Sequence, residues 1–252
     1  MTIFDAAVLC ALVPLGGAVM SAQGTPDAAA PVTRFPAAAV TRVRQDAERL
    51  ARIGTYLEQG WSKSPVDPTL MLRAFDALRL KKGMALRASL FREGGNGNGV
   101  VWAMPEGSPF PDPAALPGGE LSLRHPPKPP GALDHAMQAI EGDGTAWSYL
   151  CASVLGREFG AFGALWHGQS WATHDILGEN PVTAVAGKPR IMPIGKPADW
   201  RWREPEPREW NPSVTVGADR VVVVFYTYSA LGTQTIMRHT DTFKAGSYVY
   251  SS

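Results

Sequence analysis

Cysteine is almost missing from this chain: only Cys10 and Cys151 occur in 252 residues, and Cys10 sits in an apolar N-terminal run that export processing would remove. A disulfide framework is therefore excluded. Net charge is missing as well, with 24 basic residues against 23 acidic ones. No global field draws the chain toward nucleic acid or an anionic membrane. The N-terminal apolar run, residues 6–20 (AAVLCALVPLGGAVM), falls short of the roughly 20 residues that a spanning helix needs. No transmembrane span is expected. The HExxH and paired-cysteine signatures are absent, as is a Lys-Ser/Thr pair after a Gly-rich run, so neither a metal nor a cofactor is assigned. No internal repeat is found.

What is present is apolar bulk. At 45% hydrophobic content a chain of this length buries a core without covalent staples, and one domain is the default. Residues 6–20 resemble the apolar stretch of an export signal, and the Ala/Pro-rich stretch 25–39 that follows reads as a linker. Against this, the first five residues (MTIFD) carry no Lys or Arg and do carry Asp5, whereas export machinery orients on positive charge. Export to the periplasm and residence in the cytoplasm therefore stand as equal alternatives. The division that follows is a signal-like segment with its linker over 1–36 and one α+β domain over 37–252.

Apolar periodicity supplies the elements. Val40, Val43, Ala47, Leu50, Ile53 and Leu57 recur at helical spacing, with Glu48 and Arg52 placed i,i+4. Asp67 and Pro68 form a start signal for a second helix over Met71, Ala74, Phe75 and Leu78, which Lys81-Lys82-Gly83 ends. Met84 to Leu90 alternates as a strand, residues 100–104 supply a partner, and EGGNGNG between them reads as a hairpin loop rather than a phosphate cradle. The proline-dense stretch 105–131 is expected to be a long loop. Helical spacing returns at Leu133, Met137 and Ile140, and again from Trp147 to Leu155 with Asp143 or Thr145 as cap. Residues 221–228 (VVVVFYTY) read as a central strand paired with 233–243, and 247–250 as a final edge strand. Helices, hairpin, helices and closing hairpin predict an α+β fold with a mainly antiparallel sheet and helices packed against it.

Two segments concentrate chemistry. Residues 165–177 (LWHGQSWATHDIL) hold His167, Ser170, His174 and Asp175 together with Trp166 and Trp171. With Cys151 or Ser170 as nucleophile, His167 or His174 as base and Asp175 as orienter, the residue types suit nucleophilic or general acid-base catalysis. His239 and Asp241 on the last long strand are further candidates, and the three histidines would share a site only if they reach a common point. The bland reading is a set of histidines hydrogen-bonded between packed tryptophans. Residues 200–210 (WRWREPEPREW) interleave Trp200, Trp202 and Trp210 with Arg201, Arg203 and Arg208. Stacking plus charge suits a sugar-like or anionic ligand, while the bland reading is a strap whose tryptophans pack inward.

Two functions follow. A binding or interaction module would present Trp166, Trp171, Trp200, Trp202, Arg201, Arg203 and the Pro-rich loop to a protein, peptide or glycan. A small-substrate hydrolase would use His167, His174, Asp175 and Cys151, in metal-assisted or general acid-base catalysis. The aromatic and proline excess is directly visible, and the preference falls slightly on the binding module.

Overall fold

The computed structural model describes residues 30–54, 58–116, 126–166, 170–181, 201–231 and 233–252. The N-terminal apolar run lies outside them, as do His167 and Trp200.

The run VVVVFYTY becomes β9 (Arg220–Ser229), the centre of a six-stranded antiparallel sheet. Its β-branched and aromatic residues suit a strand covered on both faces. Val221, Val223, Phe225 and Thr227 point to the fully buried inner face. β10 (Thr235–Lys244) pairs along its whole length, from Ser229↔Thr235 to Arg220↔Lys244. The opposite edge is shared: β8 (Ser213–Val216) covers one half of β9 and β7 (His174–Ile176) the other. β1 (Val32–Arg34) closes the sheet beyond β8, and β11 (Tyr250–Ser251) beyond β10. The sheet thus draws its first strand from the stretch that composition marks as linker.

A second sheet pairs β2 (Gly60–Lys63) with β4 (Met84–Glu93) and β4 with β5 (Asn96–Pro105). The expected hairpin loop contracts to Gly94-Gly95, because Glu93 already pairs with Asn96. Gly94 sits at φ 59°, the sign that two-residue hairpin turns demand. Gly99 within β5 has a different reason. A Cβ there would lie 2.5 Å from the Phe162 carbonyl oxygen, so the strand accepts the chain leaving the central helix only because that position has no side chain.

That helix, α2 (Ala146–Gly160), starts at Thr145, whose side chain accepts from the Ser148 amide. It packs between the sheets, against β5 on one side and β8 and β9 on the other. Leu150, Val154, Leu155, Phe225 and Phe243 are fully buried in the resulting core, each contributing about 1.5–3 kcal/mol. α1 (Ala37–Leu50) lies outside this layer and buries Val40 and Ala47.

Two expected helices are shorter than their periodicity suggests. Asp67 caps as predicted, accepting from the Thr69 amide. The element it starts is a 3-10 turn over Pro68–Ala74, after which Phe75 buries completely and Leu78–Leu80 forms strand β3. Around Met137 the helix is again a 3-10 turn, Ala136–Ala139, followed by β6 (Ile140–Gly142). β3 and β6 pair with each other, so both apolar sets meet the core through this small ladder. Among the described residues no helix is long and apolar enough to cross a membrane.

Candidate functional site

The register of β7, β9 and β10 gathers polar side chains on the inner face of the large sheet. His239 on β10 pairs with Phe225, while on β7 His174 pairs with Ser229 and Ile176 with Thr227. The Thr227 hydroxyl, fully buried, lies 2.9 Å from His174 Nδ1 and 2.8 Å from His239 Nε2. Two of the three candidate histidines therefore meet at one atom, with ring centroids 6.2 Å apart.

α2 adds a cation to this row. Arg157 reaches His239 Nδ1 at 3.3 Å and grips Asp241 with both arms, at 2.6 and 2.9 Å. Ser153 also donates to Asp241. The guanidinium lies 5.1 Å from the centre of the Phe225 ring and 5.2 Å from that of Tyr250, where cation–π attraction adds to the ion pair. Burial first, then Arg157, pushes His239 down to about 4, and His174 is lowered by burial, Arg44 and Arg157. Both rings are neutral near pH 7.

Next to this row runs a second cluster. Glu158 accepts from Arg44 Nε and from Trp171 Nε1, each at 2.7 Å. Arg44 also donates to the carbonyls of His174 and Trp171 and stacks 4.4 Å over the Trp171 ring. One arginine of α1 thus fixes the entry to β7.

Above both clusters lies a cleft of about 530 Å³ between α1, the chain leaving α2 and residues 172–176. Ile53, Met71, Phe162 and Leu165 contribute apolar residues to its lining, and Arg44, Glu48, Arg52, Glu158, His174 and Asp175 ionisable ones. With Arg44 and Arg52 offset by Glu48 and Glu158, the cleft has no excess of positive charge to draw a polyanionic ligand. The Nδ1 of His174 is taken by Thr227, and the residue lines the cleft.

Asp175 pairs across from Tyr228, on the face opposite to Thr227, and is exposed. The group that orients His174 is Thr227, a residue without any local sequence signal. Cys151 is buried among Val40, Phe75, Leu150 and Val154. Burial, with Asp76 and Asp143, pushes its thiol well above the usual range, the opposite of an activated nucleophile. Trp171 is buried against Phe225 and both histidines, whereas Trp166 is 68% exposed. His167 lies outside the described residues.

The strap over 201–210 crosses the outer face of the large sheet. Trp210 packs inward on Tyr226, with ring centroids 5.3 Å apart. Trp202 leans on Trp210 at 6.1 Å but remains 41% exposed, and Arg201 and Arg203 are exposed beside it. Trp200 lies outside the described residues. Among the described residues no three His, Cys, Asp or Glu side chains converge to hold a metal ion.

Arg44, Arg157, Glu158 and Thr227 are absent from the expectations drawn on sequence. The available signal was the Arg-Glu pair inside the otherwise apolar segment LCASVLGREFG, since a charge on a helix buried all round needs a partner. No family model matches the chain, and comparisons with curated proteins and with solved structures found no match.

Proposed function

We propose that the protein is a binding module that holds a short peptide segment in the cleft between α1 and β7. The observation that carries this reading is His174: its ring is held through Nδ1 by the buried Thr227 hydroxyl, and the residue lines a cleft to which Ile53, Phe162 and Leu165 also contribute. A concavity that combines apolar side chains with placed polar groups is a usual form of ligand site. Peptides supply what this lining complements, namely apolar side chains for Ile53, Phe162 and Leu165, and amide groups for the polar rim. Trp202, Arg201 and Arg203 on the strap offer a second, flatter surface, but Trp210 is already spent in covering the sheet.

A hydrolase reading of the same place draws on the meeting of His174 and His239. It requires a reacting group beside His174, but of the carboxylates there Glu158 is already held by Arg44 and Trp171, and Asp175 stands on the opposite face of β7.

The test is a screen of N-acetylated tripeptide amides against the labelled protein, read on backbone amide signals. Binding is expected to move Thr41, Leu165 and residues 173–176. The His174→Phe variant should lose about three- to tenfold in affinity, the share of one hydrogen bond. Peptides that perturb only residues 201–210, or trisaccharides that fill the cleft where peptides do not, would overturn the reading.

A further inference from the structure

We infer that Arg157 is a positioning residue that sets the tautomer of His174 from a distance, through His239 and Thr227, so that His174 offers the cleft an N–H donor. A guanidinium has donors only and no acceptor. Where Arg157 meets His239 Nδ1, that nitrogen must accept, and a neutral His239 then carries its proton on Nε2. The Nε2–H donates to Thr227 Oγ1. The Thr227 hydroxyl has one proton to give and is fully buried, and its remaining partner is His174 Nδ1. Donation there leaves His174 protonated on Nε2.

The other arrangements fail on the same atoms. Reversing the chain would place a His239 Nδ1–H against an Arg157 N–H, two donors facing each other. Letting both rings donate to Thr227 would strand its hydroxyl proton in the core, which costs about 1–3 kcal/mol. The bidentate grip of Asp241 holds the guanidinium in place, so the direction of the chain starts from a fixed end. His239 also stacks on Phe225 at 4.6 Å, which holds its ring plane.

The consequence deepens the cleft reading and, for the ligand, rests on it. The atom opposite His174 is an acceptor, such as a peptide carbonyl oxygen. Ammonium groups and metal ions need a lone pair at that nitrogen and are selected against. A base that removes a proton from a substrate needs the same lone pair, so the chain also disfavours that use of His174.

The experiment reads the tautomer in the unliganded full chain. Long-range proton–nitrogen correlation of the histidine rings, with signals assigned through His174→Gln and His239→Gln, distinguishes protonated from bare nitrogens. Protonated Nε2 with bare Nδ1 is expected at both residues. Thr227→Val should turn His174 into a mixture with the Nδ1–H form, and Thr227→Ser should restore the single tautomer. An Nδ1–H at either histidine in the unmodified protein overturns the inference. So does a Thr227→Val spectrum that matches the parent, since the tautomer would then be the ring's own preference. If Thr227→Val does not fold, His239 in the unmodified protein still decides, because an Nδ1–H there is incompatible with donation from Arg157. Failure of peptides to bind would leave this result standing, and peptide binding to an Nδ1–H His174 would overturn the inference alone.

Discussion

Arg157 on α2 and Asp241 on β10 are joined by two charge-assisted hydrogen bonds, 2.6 and 2.9 Å long, at a carboxylate with 0% exposure. The pair ties the central helix to the large sheet at the point where the histidine row begins. Short bidentate bonds of this kind are among the strongest polar contacts in proteins.

Removing one partner strands the other. Arg157→Met leaves the Asp241 carboxyl buried without its ion-pair partner, with Ser153 as its remaining donor, and is expected to cost about 3–5 kcal/mol. Replacing both residues with apolar ones of similar volume should recover much of that loss, because desolvation offsets most of a buried pair's attraction. Urea denaturation of the single and double variants checks this. A single-variant loss below about 1 kcal/mol, the range of an exposed pair, would show that the carboxylate is not isolated as described.

Much of the fold is legible in the sequence because long elements carry long periodicities. The β9–β10 hairpin, the β4–β5 hairpin and α2 with its Thr145 cap are each at least ten residues and repeat their pattern several times. β3 and β6, with three residues each, are too short to show a period of two. Their apolar residues continue the spacing of the 3-10 turns before them and imitate a longer helix. The site is less legible for a different reason. His174 and His239 meet only through the registers of β7 and β10 on β9, and the residues that orient them, Thr227 and Arg157, stand on elements whose local pattern is apolar. Contacts of this kind are a property of pairing, not of any one segment.

The histidine row makes stability depend on pH. In the folded chain His239 stays neutral down to about pH 4, whereas an unfolded histidine takes a proton near 6.5. Between these values the unfolded chain binds more protons, so stability is complete above about pH 6.5 and falls as pH is lowered toward 4. His174, lowered chiefly by burial, acts with the same sign, and so does His135. Asp241 opposes the shift at His239, as Asp175 does at His174, without reversing either. The expected result is a flatter pH profile for His239→Gln than for the parent chain in this window. Chemical denaturation at a series of pH values measures it, and a parent profile that rises on acidification would contradict the sign.

Cys151 offers the last test, because a nucleophilic and a structural cysteine differ in a property measured directly. Its surroundings are apolar, from Val40 and Val43 on α1 to Phe75, Leu150 and Val154, and its thiol is pushed up by burial and by Asp76 and Asp143. The thiolate is the reactive form. In a Cys10→Ser background, a thiol-specific disulfide reagent should leave the native protein unmodified and label one thiol after denaturation. The native labelling rate should then follow the opening of the core and accelerate with denaturant. Prompt labelling of the native chain at neutral pH would instead place Cys151 within reach of solvent, and would return it to the list of candidate nucleophiles that its sequence position first suggested.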